Sequence, residues 1–239
     1  MTTYVLVHGA WGGAHTWRGV RPLLWRAGHA VFTPSLTGIG ERAHLTGPHV
    51  DLSVHVDDVV NTILYEDLTD IVLVGFSYGG MVVTGSLLHI GDRVRELVYL
   101  DAFVPADGQA IADLTAAMGP DEAVPVARTP GEPWLVPPRD RVFDDPAVTA
   151  FSTPRRSAQP LRTFTEGVRL LRPLEAFAFG RTYIKALGDP RKPTGPDAFW
   201  DAADRYRDHP AWRYLEHPSN HMIPQNDPAG LAAMLLDLA

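Results

Sequence analysis

Short apolar runs alternate along this chain with segments in which apolar residues recur every three or four positions. Buried strands are predicted at residues 4–7, 30–33, 71–74, 97–100, 182–187 and 212–215. Helices are predicted at residues 17–27, 53–65, 81–90 and 228–238. Strands that alternate with helices over the whole length predict right-handed crossovers. The expected fold class is therefore α/β, with a mostly parallel sheet of about six strands covered by helices on both faces.

One segment, at about residues 105–178, breaks this alternation. It holds 11 of the 21 prolines and several aromatic residues, with no clear strand pattern. We interpret it as a cap insertion over the edge of the sheet, within a single domain of residues 1–239. Proline-rich surface packing without a capping role is the alternative.

Composition narrows the classes of function. The net charge of -7 and the absence of long basic runs argue against nucleic acid and anionic membranes as partners. The chain has no cysteine, which excludes disulfides, thiolate metal sites and a cysteine nucleophile. The first residues enter an apolar run without a basic segment, unlike a secretory signal. We therefore expect a cytoplasmic protein, as a monomer or a homodimer, with a small-molecule partner.

The most informative motif is Gly-Phe-Ser-Tyr-Gly-Gly at residues 75–80, which lies between a predicted strand and a predicted helix. Such a tight turn forces its central residue into a strained conformation, and the positions two before and two after must be small. Here both are glycine, Gly75 and Gly79. This context predicts that the Ser77 hydroxyl is exposed as a nucleophile that attacks carbonyl carbons.

A serine hydroxyl needs a histidine base and an acid that orients it. Nucleophile turns of this type are followed along the chain first by the acid and then by the histidine. Four of the ten histidines lie downstream of Ser77: His89, His209, His217 and His221. His221 is favoured because it lies in the loop between the last strand and the last helix, and His217 is the alternative.

Two aspartates, Asp101 and Asp189, are candidates for the orienting acid. Each lies at the carboxyl end of a predicted strand, and both lie between Ser77 and His221 in the chain. The pattern of residues alone does not separate them, because either carboxylate could approach the imidazole from the sheet.

Two backbone donors are needed for the oxyanion that forms when Ser77 attacks. One is expected from Tyr78, the residue after the nucleophile, and the other from the glycine-rich loop at residues 8–13. A separate group, His44, His49 and His55, does not have the spacing of a zinc site, and we interpret it as part of a solvated loop. No metal is expected.

Four segments make the chain resemble the α/β-hydrolase superfamily, and within it the branch of plant methylesterases, salicylate-binding esterases, hydroxynitrile lyases and related bacterial esterases. They are residues 5–11, 38–45, 75–81 and 220–222. The resemblance implies Ser77 as nucleophile, His221 as base and Asp189 as acid, with the N–H groups of Ala10 and Tyr78 as the oxyanion hole.

Details of the resemblance favour an esterase. Similar lyases carry Lys after the catalytic histidine and Thr after the histidine of the oxyanion loop, whereas this chain has Met222 and Gly9. Phe76 departs from relatives that often have His there. The expected function is that of a cofactor-free serine hydrolase that cleaves a carboxylic ester of a small hydrophobic or aromatic substrate, with Trp11 in contact with the substrate. A lyase or biosynthetic tailoring enzyme, and a ligand-binding receptor, are the alternatives.

Overall fold

The computed structural model describes residues 1–115, 129, 131–195 and 197–239. Its strands are β1 (Thr3–Val7), β2 (Ala30–Phe32), β3 (Ile71–Phe76), β4 (Val94–Leu100), β5 (Leu135–Val136), β6 (Gln159–Pro160), β7 (Gly180–Ala186) and β8 (Arg213–His217). Its α-helices are α1 (Arg21–Arg26), α2 (Leu52–Tyr65), α3 (Gly79–Ile90), α4 (Ile111–Thr115), α5 (Pro146–Ser152), α6 (Arg162–Thr165), α7 (Ala198–Tyr206), α8 (Ile223–Asn226) and α9 (Pro228–Leu236). Short 3₁₀ helices occupy Ala14–Trp17, Gly40–Leu45, Gly91–Arg93, Thr153–Arg155 and Leu174–Ala176.

Six strands form one sheet in the order β2-β1-β3-β4-β7-β8, and every neighbouring pair is parallel. The predicted fold class and strand number are therefore confirmed. Because all strands run in one direction, their carboxyl ends meet at a single edge, where ligands bind in sheets of this type.

The core lies on both faces of this sheet. Along β1, Val5 and Val7 belong to one hydrophobic cluster, whereas Tyr4 and Leu6 belong to the other. This alternation follows from the two-residue repeat of a strand. Helices α2 and α3 cover the first face, and α1 and α9 cover the second. Burial on both faces explains why the strands read as nearly continuous apolar runs.

Among the helices that pack on the sheet, one prediction differs from the structure and one helix was missed. A helix was predicted at residues 17–27, but a 3₁₀ helix ends at Trp17 and α1 begins only at Arg21, with Pro22 in its first turn. Proline is tolerated there because the first helical N–H groups have no partner within the helix. Helix α7 was not predicted, since its buried residues include only two alanines and Tyr206 and give a weak apolar signal.

The segment between β4 and β7 contains α4, α5, α6 and a small antiparallel pair, β5 with β6. The sequence pattern did not indicate these two strands, which are only two residues each. Residues 116–128 and 130 of the expected cap insertion lie outside the described residues, and its role as a cap stays a prediction. None of the described helices is both long and apolar enough to cross a lipid bilayer.

Candidate active site

Ser77 lies in the turn between β3 and α3 with a φ of 55°. This left-handed conformation is unfavourable for a residue with a side chain. The neighbouring glycines permit the turn: a Cβ at Gly75 would lie 2.8 Å from the Gly79 carbonyl oxygen, and one at Gly79 would lie 2.7 Å from that of Val7. The sequence prediction that these two positions must be small therefore has a direct steric cause.

The imidazole of His221 joins Ser77 to a carboxylate. The Ser77 hydroxyl lies 2.9 Å from His221 Nε2, and His221 Nδ1 lies 2.7 Å from Asp101 Oδ2. Because a carboxylate only accepts, Nδ1 carries the proton and donates it to Asp101. Nε2 is then free to accept from the Ser77 hydroxyl, which is the arrangement that a general base requires.

The prediction that Asp189 orients this ring is wrong, because its carboxylate is placed elsewhere. Asp189 Oδ2 accepts the backbone N–H of His221 at 2.7 Å. Asp189 therefore holds the His221 loop, not the imidazole. Asp101 reaches the ring from the end of β4, the strand next to β3, with a φ of 40°.

Lys185 of β7 is a further member of the site that the sequence analysis missed. Its Nζ donates to Asp101 Oδ1 at 2.7 Å, and both side chains are only 1% exposed. Burial raises the pKa of Asp101, but the hydrogen bond and charge of His221 and the charge of Lys185 outweigh it, so the net pKa is lowered. Asp101 is thus held as a carboxylate. A lysine inside an otherwise buried strand was the available signal.

Two aromatic rings pack against the His221 imidazole. The centroid of the Phe76 ring lies 4.9 Å from that of the imidazole. The ring of Phe199, from α7, stacks on the imidazole with a centroid distance of 5.0 Å. Phe76, whose departure from relatives had no explanation in the sequence, therefore packs against the candidate base. Phe199 was missed because α7 was missed.

The loop after β1 is positioned by a buried glutamine of β6. Gln159 Oε1 accepts the backbone N–H of Trp11 at 2.8 Å, and Gln159 Nε2 donates to Thr163 Oγ1. Trp11 has a φ of 59°, which is again left-handed. Ala10 and Tyr78, the predicted oxyanion donors, both line the cavity that contains Ser77. Nothing in the sequence pattern pointed to Gln159.

His55 is buried, and its interpretation as part of a solvated loop is wrong. Its Nε2 donates to the Thr37 carbonyl at 2.8 Å, so its Nδ1 accepts from the Tyr78 hydroxyl, also at 2.8 Å. Burial lowers the pKa of His55 to about 3, which keeps it neutral. His55 therefore anchors the ring of Tyr78. His44 and His49 are exposed, as expected.

His217, the alternative base, does not face Ser77. Its Nδ1 accepts the backbone N–H of Ser219, and its Nε2 lies 3.3 Å from Asp227. Across the described parts of the chain, no three His, Asp or Glu side chains are grouped as metal ligands.

A cavity of about 250 Å³ opens above Ser77. The residues of its apolar wall include Ile111, Val136 and Phe164 from the segment between β4 and β7, and Phe199 and Trp200 from α7. Trp11, for which a contact with the substrate was predicted, also lines this cavity. Its Nε1 donates to the Val136 carbonyl at 3.1 Å, which fixes the indole against β5.

A parallel sheet with a strained serine turn after a central strand, and with a Ser–His–Asp relay at the carboxyl edge, defines the class of α/β hydrolases. The chain belongs to the alpha/beta hydrolase family, whose family model matches residues 4–234.

Particular relatives fit the branch indicated by the motifs, and that resemblance is confirmed. A carbendazim hydrolyzing esterase from Nocardioides sp. is 49% identical over 122 residues, 51% of this chain and 50% of that protein. An alpha-hydroxynitrile lyase from Arabidopsis thaliana is 33% identical over 43% of this chain and 40% of its own length. The chain thus spans about half the length of these curated relatives, or less.

Similarity at the level of the fold extends over nearly the whole chain. The structure of an extracellular alpha/beta-hydrolase from a Paenibacillus species superposes with a TM-score of 0.82 at 24% identity. The match covers 99% of this chain and 98% of that one.

Proposed function

We propose that this protein hydrolyses a carboxylic ester through an acyl-enzyme on Ser77. The observation that carries the proposal is the unbroken hydrogen-bonded relay from Ser77 through His221 to Asp101 at the floor of a cavity. A serine in this setting is a competent nucleophile, because the imidazole accepts its proton while the carboxylate stabilises the imidazolium.

In the first half of the reaction, Ser77 Oγ attacks the ester carbonyl and its proton passes to His221 Nε2. The tetrahedral oxyanion accepts hydrogen bonds from the backbone N–H groups of Ala10 and Tyr78. His221 then gives its proton to the departing alcohol oxygen, and the acyl group remains on Ser77.

In the second half, water replaces the alcohol. His221 Nε2 takes a proton from water, whose oxygen attacks the acyl carbon, and the acid leaves as Ser77 recovers its proton. These steps need only the protein's own donors and acceptors, so we propose no cofactor and no metal. The partner is a small-molecule ester.

The size and lining of the cavity indicate the substrate class. Aromatic and aliphatic side chains dominate its walls, and a cavity of this kind suits a small hydrophobic or aromatic body. The similarity to proteins named as a carbendazim hydrolyzing esterase and as methylesterases supports ester cleavage.

A panel of esters graded in acyl and alcohol size tests this proposal, with Ser77→Ala as the matched variant. We expect the variant to lose about 10⁴-fold or more in kcat, since removal of the nucleophile leaves only binding and oxyanion contacts. A serine-directed phosphonate should label the natural protein and not the variant. Equal turnover by both proteins, or none by either across the panel, would overturn the proposal.

The similarity to a hydroxynitrile lyase makes elimination the second candidate function. Hydrolysis and elimination differ in whether an acyl-enzyme forms. Only a hydrolase releases a burst of alcohol from an activated ester before steady turnover. We expect the burst. A receptor role would instead leave ligand binding and the biological response intact in Ser77→Ala without any turnover in the natural protein.

A further inference from the structure

Three arginines that the proposed chemistry does not use lie near Trp11. The guanidinium carbons of Arg139, Arg141 and Arg156 lie 5.9, 5.9 and 6.0 Å from the centre of the Trp11 ring. Arg139 and Arg141 line the cavity above Ser77. Three cations thus converge on the residue next to the proposed oxyanion donor Ala10.

These three arginines have no acidic partner within the described ranges. No carboxylate there lies within 4.0 Å of any of them, and Arg141 donates only to the backbone carbonyl of Asp140, at 3.3 Å. Arg156 Nε and Nη2 are buried without any hydrogen-bond partner. Buried guanidinium nitrogens are ordinarily paired, so leaving these two atoms of Arg156 without a partner costs folding free energy.

The pKa values of the three arginines also indicate that no acid neutralises them. Burial lowers the pKa of all three, and for Arg156 to about 10. Arg139 lowers the pKa of Arg141 further, and Arg141 lowers that of Arg156. The acids that oppose these effects, Asp189 for Arg141 and Asp140 for Arg156, are too distant for ion pairs.

Acids also line this cavity, but protein donors already engage them. Asp101 is bound by Lys185 and His221, and Asp189 accepts the His221 backbone N–H. Asp197 accepts the backbone N–H of Lys192 at 3.1 Å. Near Trp11, the arginines supply cationic donors that no protein carboxylate engages.

We propose that Arg139 and Arg141, which line the cavity, bind a carboxylate of the substrate, and that Arg156 adds to the positive charge near Trp11. This inference rests on the proposed function. The substrate class is then an ester that carries a second, free carboxylate at some distance from the cleaved bond. Planar guanidinium forks match carboxylates with two parallel hydrogen bonds, and such charge-assisted bonds are strong. The hydrophobic body lies along the apolar wall, and its charged end reaches the arginines.

The test compares monomethyl with dimethyl esters of straight-chain dicarboxylic acids of graded length. The two share the cleaved bond and the body and differ only in the free carboxylate. We expect the natural protein to favour the monoester at the matching chain length through a lower KM. Equal or better hydrolysis of the neutral diester at every length would overturn the inference while leaving ester hydrolysis intact.

Arg139→Met and Arg141→Met should each raise KM for the monoester by about tenfold, the usual scale of a hydrogen bond to a charged group. Both should leave KM for the diester and kcat for either ester within about twofold. Arg155→Met is the matched control, because Arg155 bonds to the Phe151 carbonyl and stacks on that ring. Arg155→Met should leave the monoester preference unchanged. If Arg139→Met and Arg141→Met changed KM for the monoester and the diester equally, or no more than Arg155→Met does, the inference would be contradicted.

A binding measurement separates this inference from the failure of ester hydrolysis. Ser77→Ala should bind the preferred monoester more tightly than the dimethyl ester of the same acid, by calorimetry at neutral pH. Arg141→Met in the same background should remove that difference. Absence of any difference in Ser77→Ala would overturn the inference whether or not the natural protein cleaves esters.

Discussion

The turn after β3 and the loop after β7 lie at the same edge of the sheet, yet only the first places its predicted residue where the sequence indicated. The turn that carries Ser77 depends on a local contact, since a Cβ at Gly75 would meet the carbonyl oxygen of Gly79. Asp189 is fixed by His221, a residue 32 positions away in the chain. Local steric constraints can be recognised in a motif, whereas a contact between distant loops cannot.

The two aspartates make this difference concrete. Asp101 accepts from His221 Nδ1, Lys185 Nζ and the backbone N–H of Ala186. Asp189 accepts a backbone N–H of the same histidine. Both carboxylates thus serve His221, one by orienting its ring and the other by holding its loop.

The largest expected effect separates these two roles. In Asp101→Asn, Lys185 and the Ala186 N–H keep the amide oxygen on their side, so the amide nitrogen faces His221 Nδ1 and favours the wrong tautomer. We expect kcat to fall by about 10⁴-fold, as for this change in comparable triads. Asp189→Asn retains an oxygen that can accept the same backbone N–H and should cost about tenfold or less.

Activity of both variants on one activated ester, with circular dichroism to confirm folding, measures this contrast. If Asp189→Asn lost as much activity as Asp101→Asn, the assignment of the orienting acid to Asp101 would fail.

The next effect concerns stability. Lys185→Met leaves Asp101 buried without its cation, and removal of one partner of a buried ion pair costs about 3–5 kcal/mol. The pKa of Asp101 is lowered in the folded state, so its contribution to stability is present above the unfolded pKa, about 4, and is lost as pH falls through the folded value. The difference in free energy of unfolding between Lys185→Met and the natural protein should therefore become smaller as the pH is lowered.

Urea unfolding of both proteins at neutral and acidic pH measures this prediction. Arg191→Met removes an exposed arginine that pairs with Asp201 and Asp204, and should cost at most about 1 kcal/mol. A Lys185→Met loss no larger than this control would contradict the structural role of the buried pair.

The smallest expected effect concerns the local turn. Alanine in place of Gly79 should gain about 1 kcal/mol of helix propensity. Its Cβ would approach the Val7 carbonyl oxygen at 2.7 Å, however, and relief of such a clash costs about 1–3 kcal/mol. We expect a net loss of stability together with a loss of activity, since the Ser77 turn must open.

Gly85→Ala in the same helix is the control, because its Cβ would meet a side-chain methyl group of Val56 and not a backbone atom of the loop beside Ser77. It should retain activity. Thermal unfolding and ester turnover of both variants measure the difference, and full activity of Gly79→Ala would refute the steric explanation of the turn.

Most of the fold could be predicted from the sequence because its signals are periodic and local. All six strands of the parallel sheet were located, with bounds that differ by three residues or fewer. Helix predictions failed where the pattern of apolar residues was weak or where two short helical segments lay next to each other. Helix α7 buries mainly small residues, and α1 is preceded by a separate 3₁₀ turn.

In the candidate site, the residues found from sequence are those with a distinctive neighbourhood: Ser77 in its glycine turn and His221 in the last loop. Those missed, Lys185 and Gln159, act through partners more than 80 positions away. His55 was misread for the same reason, since its partners Tyr78 and Thr37 come from other segments.

The sequence by itself determined the parallel sheet, the strained serine turn and the histidine that serves it, because hydrophobic periodicity and the close contact between Gly75 and Gly79 act over a few residues. Only the tertiary structure decided which carboxylate meets the imidazole and that unpaired arginines face the cavity. These contacts depend on the order of the strands in the sheet and on which side chains lie beside each charged group. Both are properties of the packed sheet and its loops, and no short segment contains them.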